Sequence, residues 1–133
     1  MVFPMMRDAI VLLAHGARDP EWARPIEAMA ARLRALLPAT RVDLAFLEFM
    51  KPDIDAAVTG LAEQGNHRIK VVPVFLAQGG HVKRDLPAKL EALRAKLQGA
   101  HAGLALELLP AIGEQPEVID AIAACVARLA GKS

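Results

Sequence analysis

The chain has one cysteine, Cys125, no tyrosine and few aromatic residues of any kind, 4% of its 133 positions. A lone cysteine rules out an internal disulfide and a cysteine-rich zinc site, which leaves the four histidines as the main ligands for borderline metals. The shortage of aromatics removes the platforms on which single-stranded nucleic acid stacks. An excess of one charge sign is missing too. Sixteen Lys and Arg against 15 Asp and Glu give a formal net charge of +1, with no block of about five or six like charges. Nothing in this balance points to nucleic acid or to a membrane surface. No apolar run approaches the roughly 18–20 residues needed to cross a bilayer. The opening MVFPMMRD has no basic start followed by a long apolar core, so no export signal is expected and the cytoplasm is the expected location.

What the chain does have is a large apolar fraction, 54%, in a length that suits one core, since domains commonly hold about 100–200 residues. A single domain over residues 1–133 is the expectation. Short apolar runs, AIVLLA (9–14), VDLAFL (42–47), IKVVPVFLA (69–77) and LALELL (104–109), read as four strands. Between them apolar residues recur at helical spacing: Ile26, Met29, Leu33 and Leu36/Leu37, then Ile54, Val58 and Leu61, then Leu86, Leu90, Leu93 and Leu97. A fourth helix runs from Pro116 through Ile119, Ile122, Val126 and Leu129 to a stop at Gly131.

Strands that alternate with helices and are apolar at nearly every position imply a parallel sheet buried on both faces. The expected fold class is therefore α/β, a three-layer sandwich with a four-stranded parallel sheet and helices on both faces. Two prolines interrupt the pattern. Pro73 lies inside the third run, where it removes a ladder donor, and predicts a bulge or a strand end. Pro25 falls early in the first helical pattern and predicts a kink or a late start.

In open parallel sheets ligands bind beyond the carboxyl ends of the strands. The first run ends at His15 in IVLLAHGARDP, the third in FLAQGGHVKRDLP with His81, and the second in AFLEFMKP with Glu48. Either histidine alone reads first as an ordinary strand-end residue. Two imidazoles and a carboxylate at one edge form a candidate set for a divalent ion and for proton transfer near neutral pH. Gly79 and Gly80 let backbone approach a ligand or turn sharply, and Arg18, Lys83 and Arg84 stand beside the histidines as candidates for gripping an anionic substrate. His67 and His101 fall in connections at the opposite edge and read as surface loop residues. Cys125, inside an apolar helical pattern, reads as a small buried hydrophobe, and Trp22 reads as packing.

Several motif readings fail. No GxxxxGK[ST] and no GxGxxG follows a strand, so nucleotide use is unsupported. Ala14 precedes His15 where histidine phosphatases carry arginine, and a phosphoacceptor module wants acidic residues at these strand ends.

The segments LLAHGARDP, VDLAFLEFMKPDI, VVPVFLAQGGHVKRDLP and PAIGEQPEVIDAI together resemble the short, single-domain form of the sirohydrochlorin cobaltochelatases, relatives of the two-domain ferrochelatases. The resemblance runs from about Asp8 to Leu129, with Ala17 standing where many relatives have serine. It implies insertion of a divalent metal, Co²⁺ or else Fe²⁺ or Ni²⁺, into a tetrapyrrole without ATP or an organic cofactor. It implies that His15 and His81 are the metal-binding and catalytic histidines, and Glu48 matches an acidic position in the family's strand-two motif, which makes it a third catalytic candidate. Because one small domain cannot easily enclose a tetrapyrrole, a homodimer is expected. The competing expectation from another class is a carrier that binds metal or tetrapyrrole without turnover.

Overall fold

The computed structural model describes residues 7–132, so most of the amino-terminal stretch read for an export signal lies outside the described residues. Four strands, β1 (Arg7–Ala14), β2 (Arg41–Phe46), β3 (Asn66–Pro73) and β4 (Ala105–Leu108), form one sheet in the order β2-β1-β3-β4 with every pairing parallel. Four helices alternate with them: α1 (Arg24–Leu36), α2 (Ile54–Glu63), α3 (Gly80–Gln98) and α4 (Pro116–Leu129). The expected class holds, because the runs are apolar on both faces and each face finds a helix.

Alternation along the strands sorts the core. Val11, Leu13, Ile69 and Val71 point to one face and are buried with Ile54, Val58 and Leu61 of α2 and Leu90 and Leu93 of α3. Leu12 and Val42 point to the other and pack with Ala30 of α1. Local signals set the helix starts. The Asp53 carboxylate accepts a hydrogen bond from the Ala56 N–H at 2.8 Å and caps α2. Pro25 sits in the first turn of α1, after a short 3-10 turn (Pro20–Ala23), so that helix starts late and does not kink. Pro73 closes β3 as a strand end.

Other expectations are corrected. The apolar run 74–77 is not strand: β3 stops at Pro73, and Val74 and Phe75 continue as loop whose side chains still pack inward. Helix α3 begins at Gly80, not near Leu86, so His81 lies in a helical first turn and Pro87 is carried inside the helix. His67 is the second residue of β3 and half-buried, not a loop residue, because the strand starts at Asn66 and pairs there with Arg7. Trp22 is exposed, and Cys125 is exposed because no residue of α4 is buried. Among the described residues no helix is long and apolar enough to cross a membrane.

Candidate active site at the carboxyl edge of the sheet

The chain leaves β1 toward β2 on one side and later returns to place β3 on the other, so the strand order reverses between β1 and β3. Such a switch point opens a crevice at the carboxyl edge. Directly over it, the His15 imidazole stacks on the Phe75 ring with centroids 4.1 Å apart and planes 25° apart. Phe75 is 3% exposed and belongs to the α2/α3 core, whereas His15 is exposed. A rigid apolar floor thus carries a solvent-facing imidazole.

Backbone bonds tie the neighbouring loops to this floor. The Leu47 N–H donates to the Ala14 carbonyl and the Glu48 N–H to the His15 carbonyl, both at 3.0 Å, so β1 and β2 stay zipped past their strand ends. The price of that approach is a glycine: Gly16 adopts φ +89°, and a Cβ there would overlap the Glu48 carbonyl oxygen. On the other side the Val74 N–H donates to the Leu13 carbonyl at 2.7 Å, which sets Phe75 in place.

Glu48 and His81 line one open cleft of about 350 Å³ with Leu47, Val82, Asp85 and Lys89. His81 Nε2 lies 2.9 Å from Asp85 Oδ2, one helical turn on. The structure therefore brings Glu48 and His81 together and places His15 on its own platform at the same edge. Among the described residues no three His, Cys, Asp or Glu side chains converge as a ready metal cluster.

The remaining candidates are more dispersed. The Arg18 guanidinium lies over the Phe49 ring, 4.9 Å from its centroid. Lys83 and Arg84 are exposed in the first turns of α3, outside the cleft lining. Gly79 caps α3 with φ −66°, Gly80 follows, and a Cβ on either would meet nothing within 4 Å. Neither makes a sharp turn, so the open space beside them is free for a ligand. Sequence reasoning missed Phe75, Phe49, Asp85 and Lys89. Asp85 carried a signal, the i, i+4 spacing of His and Asp in HVKRD, which counts only once the helix is known to start at Gly80.

Fold and edge define a class: a doubly wound parallel α/β protein with imidazole and carboxylate on loops beyond its strands. Within that class, the chain belongs to the CbiX family, whose model matches residues 9–129. Proteins named sirohydrochlorin cobaltochelatase from Methanopyrus kandleri and Methanocaldococcus jannaschii are 40% identical over 82 residues and 42% identical over 85 residues. Each alignment takes in 62% of this chain and 57% or 58% of the relative, so the chain spans less than two thirds of these curated relatives. Among solved structures, a CbiX protein assigned to cobalamin (vitamin B12) biosynthesis in Marinobacter aquaeolei VT8 is similar at TM-score 0.79 and 32% identity, covering 95% of this chain and 99% of that one. The sirohydrochlorin chelatase SirB from Bacillus subtilis subspecies spizizenii, solved in complex with cobalt, is similar at TM-score 0.74 and 25% identity, covering 92% of this chain and 51% of that one.

Proposed function

We propose that the chain is a cytoplasmic sirohydrochlorin chelatase that inserts Co²⁺ into the metal-free macrocycle, without ATP or an organic cofactor, for cobalamin biosynthesis. The observation that carries this reading is the exposed His15 imidazole on its Phe75 floor at the β1/β3 switch point, with the Glu48–His81 cleft on the same edge. Membership of the CbiX family and likeness to proteins named for this activity support it. The cytoplasmic setting agrees with a chain that carries one cysteine and no disulfide framework.

Insertion requires the ion to shed waters and two pyrrole N–H protons to leave. Neutral imidazoles suit the first task, because they bind cobalt, nickel or iron without the tenacity of a thiolate cage. His15 and His81 hold the ion weakly, and the macrocycle nitrogens complete its coordination. Glu48, exposed and beside His81, accepts a departing proton. Sirohydrochlorin is rich in carboxylates. Arg18, Lys83 and Arg84 grip them, helped by the uncapped backbone N–H groups where α3 opens at Gly80. Open space at Gly79 and Gly80 lets the macrocycle approach the backbone.

One copy presents an open edge and spans about half of SirB, 51%. The proposed working form is a homodimer in which two such domains enclose the substrate. The chain as given is proposed to be one domain.

The test is anaerobic incubation with sirohydrochlorin and Co²⁺, Fe²⁺ or Ni²⁺, followed by visible spectra beside a His15→Ala control. Many equivalents metallated, faster than control and protein-free blank, are expected, with Co²⁺ fastest. A change that stops at one equivalent would identify a carrier instead. Faster turnover with Fe²⁺ or Ni²⁺ would reassign the metal and the pathway.

A further inference from the structure

Glu48 stands on a ridge between two cavities. On one side is the cleft of about 350 Å³ walled by His81, Asp85 and Lys89 of α3. On the other is a larger, mostly apolar hollow of about 630 Å³ formed by the loop that joins β2 to α2, with Phe46, Phe49, Met50 and Lys51 in its lining. Leu47 and Glu48 line both.

Backbone bonds hold the ridge in place. The Glu48 N–H donates to the His15 carbonyl at 3.0 Å, and the Glu48 carbonyl accepts the Met50 N–H at 2.8 Å around Phe49 at φ 65°. A three-residue turn closed around a residue of positive φ is the rarer of the two γ forms. Half-buried Met50 fixes its far side against the cluster of Ala14 and Phe46. The Glu48 side chain is thereby presented to solvent at a set point between the cavities.

Each cavity has one lysine. Lys89 lies eight residues beyond His81, about 12 Å along the helix axis, and Lys51 lies three residues beyond Glu48. Both are exposed, and among the described residues neither forms an ion pair. Charge is therefore ordered from the middle outward: carboxylate and imidazole at the centre, a cation on either side. A metal-free tetrapyrrole rich in peripheral carboxylates has the complementary order. Its centre gives up two protons and receives a dication, which carboxylate and imidazole favour. Its rim is anionic, which Glu48 and Asp85 repel and the lysines attract.

We infer that the macrocycle lies across the Glu48 ridge, with a carboxylate arm of one side on Lys89 and an arm of the opposite side on Lys51. The ring centre then rests by Glu48, between His81 in the cleft and His15, whose carbonyl holds the ridge. Lysine suits arms of variable reach, because its three donors turn at the end of a flexible stem. Two anchors on opposite sides also fix the orientation of the ring, which one anchor leaves free to pivot. This rests on the function proposed above and adds to it the placement of the substrate and two residues that hold it.

The test compares Lys51→Met and Lys89→Met in the full chain with wild type and with Lys96→Met, which removes the same charge farther along α3, outside the cleft. Methionine keeps an unbranched stem and removes the ammonium; both lysines are exposed, so circular dichroism should match wild type. Affinity for metal-free sirohydrochlorin is read from the change in its fluorescence, and KM from metallation with Co²⁺. Each of the two variants is expected to weaken binding and raise KM by about two- to fivefold with kcat little changed. The double variant should show the product of the two effects, and Lys96→Met none. With the substrate carboxylates methyl-esterified, all of these proteins should bind alike. Wild-type affinity in either lysine variant, an equal loss in Lys96→Met, or a loss that persists with the ester would overturn the placement. A wild-type protein that neither binds nor metallates sirohydrochlorin would refute the function itself; one that does both while the lysine variants match it would refute only the placement across the ridge.

Discussion

The His15 imidazole rests on the face of Phe75, 4.1 Å between centroids, and the two residues come from the ends of different strands, β1 and β3. An exposed histidine would ordinarily sample several rotamers. Here a ring that is itself locked in the core limits those rotamers and shields one side of the imidazole from water.

Phe75→Leu tests this platform. Leucine keeps most of the apolar volume, so the expected stability loss in urea unfolding is about 1–2 kcal/mol, well short of a Phe→Ala cavity. The expected loss of metallation rate is larger, about tenfold, because the imidazole is no longer held at the edge. A variant destabilised as stated but with unchanged turnover would show that the stacking is only packing.

Gly16→Ala is expected to be the most damaging single methyl that can be added to the edge. The left-handed backbone disfavours alanine, and the new Cβ would overlap the Glu48 carbonyl. A loss of about 2–4 kcal/mol is expected, combining backbone strain with a forced opening of the loop. Urea midpoints measure it. A loss under about 0.5 kcal/mol, the range of ordinary surface changes, would contradict the close approach.

Asp85→Asn separates positioning from folding. The carboxylate is exposed and lies beside His81 Nε2, so stability should change by less than about 0.5 kcal/mol. Partners that orient a ligand histidine are typically worth about 10–100-fold in metal affinity or activity. Co²⁺ titration and initial rates should both fall in that range, and His81→Ala should make Asp85→Asn silent. Additive losses would mean that Asp85 acts on its own.

These residues also mark where sequence reading worked. Strand and helix faces were legible because burial on both sides of a parallel sheet leaves continuous apolar runs, and helices leave their own period. The placement of His15, His81 and Glu48 at one edge was legible because polar residues stood where such runs stop. The same rule overshot at 74–77. Val74 and Phe75 are apolar because Val74 packs on the α1 side of the sheet and Phe75 floors His15, a demand that leaves the same mark as a strand. The start of α3 was hidden by Pro87, which usually marks a helix boundary, and by residues 80–85, which offer only Val82 as an apolar signal. For α4 the pattern was right and the inference of burial was not, because periodicity records that a face needs covering and cannot say which molecule covers it.

Phe49 gives the last prediction. It adopts φ 65°, a region that strongly disfavours bulky side chains, and its ring is 57% exposed beneath the Arg18 guanidinium. Neither the strain nor the exposure helps folding, and an exposed cation–π contact returns only about 0.5–1 kcal/mol. Asparagine suits this backbone far better, so Phe49→Asn should leave the urea midpoint unchanged or raise it slightly. If the ring is kept because it aims Arg18 at a substrate carboxylate, the same variant should raise KM for the macrocycle several-fold with kcat little changed, as expected when binding shared by ground and transition states is lost. Arg18→Gln should then raise KM by a similar factor, and the double variant by no more than either alone. A Phe49→Asn enzyme with wild-type KM would leave the strain unexplained and remove Arg18 from the substrate contacts.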